Sequence, residues 1–130
     1  MFSPILNFSN KNLALSVPSL EKILLLVKSV CHSIRILHDI NIIHGDLKPD
    51  NILIKKTTFG YTAKLIDFDD SYFSGNPPKN RENLVGTPEY YSPEQAAYIM
   101  DEEDRIEGKT LTQKSDIFTL GIIFCEYFTG

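Results

Sequence analysis

Two short β-like runs, Ile52-Leu53-Ile54 and Ala63-Lys64-Leu65-Ile66, flank the turn-rich Thr57-Thr58-Phe59-Gly60 and read as a small hairpin. The chemistry at its open end constrains the chain most. His44-Gly45-Asp46-Leu47-Lys48-Pro49-Asp50-Asn51 precedes the first run, and Asp67-Phe68-Asp69 follows the second. Antiparallel strands bring such ends together, so Asp46, Lys48, Asn51 and Asp67 are expected to converge on one point. Each alone reads as a turn or surface residue. Packing gives little reason for the joint pattern: Asp, then Lys two residues on, Asn five residues on, and Asp-Phe after the next strand.

The flanks are mainly helical. Residues 1–17 show no period and read as an irregular lead-in. From Pro18, Leu20, Ile23, Leu24, Val27, Cys31, Ile34 and Leu37 recur at three- and four-residue spacing, which predicts an amphipathic helix to about His38. Pro18 suits its first turn, Glu21 its positive end, and Asn41 its stop. Residues 71–94 hold Gly75, Pro77, Pro78, Gly86, Pro88 and Pro93 and read as a long irregular segment. Asp101-Glu102-Glu103-Asp104 reads as an exposed acidic patch. Ser115–Phe128 is nearly all apolar and predicts a central helix buried on most sides.

The chain has 130 residues, enough for one small domain with a core. Its 13 basic and 17 acidic residues leave a formal charge of −4, which gives no electrostatic case for nucleic acid or an anionic membrane as the main partner. Cys31 and Cys125 sit inside apolar helical patterns and read as buried free thiols, with a disulfide formally open. No signal peptide is visible at Met1–Phe8. The apolar stretch Ile117–Phe128 is too short for a bilayer and contains Glu126. The expected location is cytoplasmic.

Phosphoryl transfer from a nucleotide needs a set such as the one at the hairpin. Carboxylate and amide oxygens hold Mg²⁺, a lysine offsets charge on the moving phosphate, and a carboxylate orients the attacking hydroxyl. At this point the chain resembles the eukaryotic-type Ser/Thr protein kinase family. His44–Asn51 is similar to its catalytic loop, H-R-D-L-x-x-x-N, and Asp67-Phe68-Asp69 to its D-F-G. Gly86-Thr87-Pro88-Glu89-Tyr90-Tyr91-Ser92-Pro93-Glu94 resembles the docking loop that ends in A-P-E. Asp116-Ile117-Phe118-Thr119-Leu120-Gly121 resembles the start of the buried helix under the catalytic loop. The four motifs follow the family's order and cover residues 18–130.

The resemblance implies an α+β, protein-kinase-like fold, of which this chain would be a mainly helical C-lobe portion with the catalytic-loop hairpin. It implies ATP and Mg²⁺ as cofactors and a protein substrate with a Ser or Thr acceptor. Asp46 would be the catalytic base or hydroxyl-positioner, and Lys48 would contact the transferred phosphate and mark Ser/Thr specificity. Asn51 and Asp67 would hold Mg²⁺. Leu53 would lie under the adenine ring, with simple core packing equally open. Thr87 would hydrogen-bond within the Asp46–Lys48 site. His44 and Phe68 would stack in an apolar column, and Asp116 would accept hydrogen bonds from the catalytic-loop backbone.

Four departures shape the expectations. Gly45 replaces the arginine that pairs with an activation-segment phosphate, and residues 75–86 contain no Ser, Thr or Tyr. A segment not switched by phosphorylation is therefore expected. Asp69 replaces the glycine of D-F-G, implying a less mobile segment or a third carboxylate near the metal. Extra residues between Glu94 and Asp116 include Asp101–Asp104, either a solvated face or an acidic rim favouring basic substrates. Finally, no G-x-G-x-x-G loop, strand lysine or partner glutamate precedes residue 18, and the arginine expected to pair with Glu94 is absent. Residues 1–130 are thus expected to be part of a kinase domain, inactive alone, with apolar surface that another lobe or chain would cover. Two rivals stay open: an aminoglycoside- or choline-kinase-like small-molecule phosphotransferase, favoured by His44-Gly45-Asp46 and Ile66–Asp69, and a pseudokinase-like binding module.

Overall fold

The computed structural model describes residues 19–84 and 86–130. The expected lead-in and Pro18 lie outside the described residues. Helix α1 spans Leu20–Asp39 and starts at Ser19, whose hydroxyl accepts from the Lys22 N–H at 3.4 Å. It ends where Asn41 takes a left-handed φ of 59°, a conformation asparagine tolerates better than most residues. Its buried residues are Ile23, Leu26, Val30 and Ile34, so of the expected seam Ile23 and Ile34 are buried and Val27 and Leu37 pack against the core, joined by Leu26 and Val30. Leu20, Leu24 and Cys31 face outward. The expectation of buried thiols is corrected: Cys31 and Cys125 are both free and exposed, each on the outer face of its helix.

Strand β1 (Ile42–Ile43) leads into the 44–51 loop and pairs antiparallel with β4 (Tyr72–Phe73), Ile43 opposite Tyr72. The predicted hairpin forms between β2 (Ile52–Thr57) and β3 (Gly60–Leu65), from Ile52↔Leu65 to Thr57↔Gly60. The outer edge of β3 is covered by α1. Ser29 Oγ accepts from the Ala63 N–H at 2.8 Å, and Ser33 Oγ lies 3.4 Å from the Ala63 carbonyl. Two helix hydroxyls thereby satisfy backbone groups that a third strand would otherwise pair.

The 71–94 segment is less irregular than expected. It contains β4, a 3₁₀ turn at Arg81–Asn83 and another at Pro88–Tyr90. Helix α2 (Pro93–Met100) follows, capped by the Ser92 hydroxyl, which accepts from Gln95 N–H at 3.2 Å. Helix α3 (Gln113–Thr129) buries one face, carrying Ser115, Asp116, Thr119, Leu120, Ile123 and Tyr127. It is not buried on most sides: Ile117, Phe118 and Phe128 are exposed.

The fold is α+β, with two hydrophobic clusters that hold the 44–51 loop between them. In the first, α1 packs on the hairpin and α3 through Val30, Ile34, Ile52, Leu65 and Ile123, with Leu47 of the loop inserted. Each such side chain stabilises the fold by roughly 1.5–3 kcal/mol when fully buried. The second gathers Ile43, Tyr72, Leu84, Tyr98 and Leu111. It ties the 67–94 segment to the strand that delivers the loop. Among the described residues no helix is long and apolar enough to cross a membrane.

Candidate active site

The 44–51 loop is fixed from below by α3. Asp116, in its first turn, accepts from the backbone N–H groups of His44 at 2.9 Å and Gly45 at 3.3 Å, and pairs with His38 Nε2 at 2.8 Å. These three donors offset the cost of holding a carboxylate only 3% exposed. His44, fully buried, donates from Nε2 to the Ile66 carbonyl at 2.9 Å and accepts at Nδ1 from the Asp46 N–H at 3.3 Å. Its ring joins both ends of the hairpin and lies 5.2 Å from that of Phe68. The imidazole is a structural bridge, closed to solvent.

Asp46 sits above this support, 8% exposed. Its Oδ1 accepts from Thr87 Oγ1 at 3.2 Å, and its Oδ2 lies 3.2 Å from Lys48 Nζ and 3.3 Å from Asn51 Nδ2. Lys48 Nζ also donates to Thr87 Oγ1 at 3.0 Å, which closes a ring of three side chains. Asn51 Nδ2 donates to the Asp46 carbonyl at 2.8 Å, so the side-chain oxygen of Asn51 is what remains for a cation. The 3₁₀ turn Pro49–Asn51 sets this residue, whose own carbonyl accepts from the Ile66 N–H at 3.0 Å. Asp67 therefore stands one residue past the partner of Asn51, at the open end of the hairpin. It is exposed, with φ 60°, and its Oδ1 receives a 3.5 Å contact from the Asp69 N–H.

The four expected residues thus share one end of the hairpin, and Thr87 is brought to them from the other segment. Leu53 is half-buried and lies on the strand face opposite Ile52 and Ile54, outside the hydrophobic clusters. Partial burial raises the Asp70 carboxyl above its ordinary value, helped by the negative charges of Asp46, Asp67 and Asp69 and opposed by Lys48. Carboxylates are thus close enough to repel one another. Among the described residues, however, no group of three or more carboxylate, imidazole or thiol ligands forms a metal cluster. Asp69 does not complete one. An oxygen-ligand cation such as Mg²⁺ still fits, because it binds through one or two protein oxygens plus phosphates and water.

The structure adds Gln95 and Tyr72 to the site and gives Gly45, Glu94 and Asp101 their surroundings. Gly45 has φ +84°, and a Cβ there would stand 2.4 Å from the Asp70 carbonyl oxygen. Its carbonyl accepts from Gln95 Nε2 at 3.3 Å, and Tyr72 packs beside it. Glu94 accepts from Ser115 Oγ at 2.9 Å, which gives the carboxylate a partner within the described residues. The acidic 101–104 patch is only partly solvated, because the Asp101 side chain is 5% exposed and faces Arg81. A small cleft beside Asp46 is lined by Gly45, Thr87, Tyr90, Tyr91 and Gln95 and reaches under the loop to Asp116 and Thr119.

Comparison with known proteins matches residues 7–130 to the family described as Protein kinase domain. A relative named eukaryotic translation initiation factor 2-alpha kinase 1, of Plasmodium falciparum, is 35% identical over 103 residues, covering 79% of this chain and 6% of the relative. Serine/threonine-protein kinases PknA of Corynebacterium glutamicum is 32% identical over 105 residues, covering 80% of this chain and 20% of the relative. Myosin light chain kinase 2 of Oryctolagus cuniculus is 37% identical over 104 residues, covering 80% of this chain and 15% of the relative. The chain therefore spans a fifth or less of the length of these curated relatives.

Proposed function

The chain belongs to the protein kinase domain family, and from that premise we propose that it supplies the transfer chemistry of a Ser/Thr protein kinase. The reaction is passage of the ATP γ-phosphoryl group to a protein hydroxyl, with Mg²⁺. The observation that carries this reading is the closed ring of Asp46, Lys48 and Thr87 beside the cleft.

In this reading Asp46 accepts a hydrogen bond from the acceptor hydroxyl, aims its oxygen at phosphorus and takes up its proton. Thr87 and Asn51 hold the Asp46 carboxylate at one orientation, so the hydroxyl meets a preset acceptor. Lys48 Nζ, 3.2 Å from Asp46, places positive charge beside the path of the phosphoryl group. Asn51 and Asp67 supply the oxygens for Mg²⁺, which when bound offsets the charge of the phosphates. Leu53 offers an apolar contact for the nucleotide base. Residues 1–130 contain no G-x-G-x-x-G loop, so the remaining nucleotide contacts are assigned to another lobe or chain.

The test is transfer from γ-labelled ATP and Mg²⁺ by the full-length protein, followed by analysis of the labelled amino acid. Label on serine or threonine is expected. Label confined to tyrosine, or to an aminoglycoside or choline supplied as competing acceptor, would contradict the reading. Nucleotide binding without transfer to any acceptor would favour a binding module.

A further inference from the structure

Residues 75–86 carry no hydroxyl, and Gly45 has neither a side chain to receive a phosphate nor room for one. Something else has to hold the segment that brings Thr87 to Asp46. We propose that Arg81 is a positioning residue for the acceptor side of the Asp46 site, a permanent clasp that orders the 67–94 segment without phosphorylation. The proposal rests on the kinase reading above.

The Arg81 guanidinium uses all three of its nitrogens. Nε donates to Asp104 Oδ1 at 3.2 Å, and Nη2 donates to the same carboxylate and to the Ile106 carbonyl at 2.9 Å. Nη1 donates to the Tyr98 carbonyl, and Nη2 lies 3.4 Å from Asp101 Oδ2. The plane stacks on the Tyr98 ring at 3.9 Å, so charge, fork geometry and ring face are all engaged. The receptor is built for it. Asp101 is held by the Ile106 N–H at 2.6 Å, and Asp104 takes φ 53° at the turn that presents its carboxylate. Asp101 would be a costly buried charge without a cation. The hydrogen bond from Ile106, with Arg81 beside it, keeps its carboxyl below the ordinary value.

The clasp is continuous with the site. Tyr98 Oη donates to the Pro78 carbonyl at 3.4 Å, Gly75 N–H donates to Leu111 at 2.7 Å, and Leu84 is buried with Tyr98 and Leu111. From Arg81 the chain runs six residues to Thr87, which bonds Asp46. The residues inserted between α2 and α3 thus act as the counterpart of the segment. Their acidic side chains face Arg81 at Asp101 and Asp104 before any substrate.

The experiment is hydrogen exchange on the full-length protein, read at residues 79–87 and at α3, with steady-state kinetics beside it. Arg81→Met should speed exchange at 79–87 by about tenfold or more while α3 is unchanged. It should raise KM for the protein acceptor and leave KM for ATP within about twofold. Phosphatase treatment of the wild type should alter neither exchange nor activity. Unchanged exchange at 79–87 in Arg81→Met would overturn the clasp, as would loosening of the wild type by phosphatase. Should Arg81→Met also expose α3, Asp104→Asn decides: its carboxylate is 87% exposed, and faster exchange confined to 79–87 supports the clasp, while no change overturns it. A wild type that transfers nothing to protein hydroxyls defeats the kinase reading alone, because the exchange result still judges the clasp.

Discussion

The Thr87 hydroxyl donates to Oδ1 of Asp46 at 3.2 Å, joining two loops that lie 41 residues apart. The same oxygen accepts from Lys48 Nζ, so one hydroxyl sets both the carboxylate and the cation beside it. Thr87→Val keeps the shape and removes the bonds. It should lower kcat of the full-length protein by about 10- to 100-fold, the scale of lost orientation. Thr87→Ser should keep most of the rate. Steady-state kinetics checks both, and an unchanged kcat in Thr87→Val would show that Asp46 needs no such partner.

Gly45 is fixed by its surroundings as much as by its φ of +84°. A methyl group there would meet the Asp70 carbonyl at 2.4 Å and the Tyr72 ring at 3.3 Å. Gly45→Ala should destabilise by more than about 2 kcal/mol, combining left-handed strain with a backbone collision. Gly45→Arg should do no better, and it should not create a phosphate-responsive site. Thermal unfolding measures the cost, and a melting temperature equal to wild type would refute the packing.

Much of the site was legible because its residues are close in sequence or sit in recognisable strings. Asp46, Lys48 and Asn51 fall within one loop, and a hairpin returns the chain to Asp67. Asp116 and Thr87 were reached through the resemblance, since nothing local links Asp116 to the His44 N–H 72 residues away. The rest has no period that a sequence could show. Strands β1 and β4 have two residues each, too short for alternation to show. Arg81 stands among prolines and asparagines, two residues after Lys79, and its partners lie in α2 at Tyr98 and in the 101–106 stretch that follows. In α1, Leu20, Leu24, Leu25 and Leu26 offer leucine on several faces, and spacing does not show that Leu26 enters the core while the other three stay exposed.

Tyr72 is buried, and its hydroxyl has no partner among the described residues. An unsatisfied buried hydroxyl costs about 1–3 kcal/mol. Tyr72→Phe should therefore leave the melting temperature unchanged or raise it. A loss of more than about 1 kcal/mol would reveal a hydrogen bond that matters to the fold.

The tyrosines also set an alkaline limit. Burial, and then its hydrogen bond to Glu126, push the Tyr90 phenol up from 10.0 to about 12. Burial drives Tyr72 and Tyr127 well above the ordinary range as well. The folded state keeps these protons while an unfolded tyrosine loses its own near pH 10. Their contribution to stability is thus complete below that pH and is lost as pH rises through 10 toward 12. Unfolding followed against pH should show a flat region below pH 10 and a decline above it. Phenolate absorbance rising fully near pH 10, with the fold intact, would contradict the burial.

The most direct test of the account lies at Asp46. Asp46→Asn keeps the size of the side chain and can still bond Thr87, but it cannot take up the proton of an acceptor hydroxyl. In the full-length protein it should lower kcat by about 10²- to 10⁴-fold, the usual worth of a general base, with the melting temperature close to wild type. A variant that folds normally and transfers phosphate to Ser or Thr within a few-fold of wild type would contradict the assignment of the site.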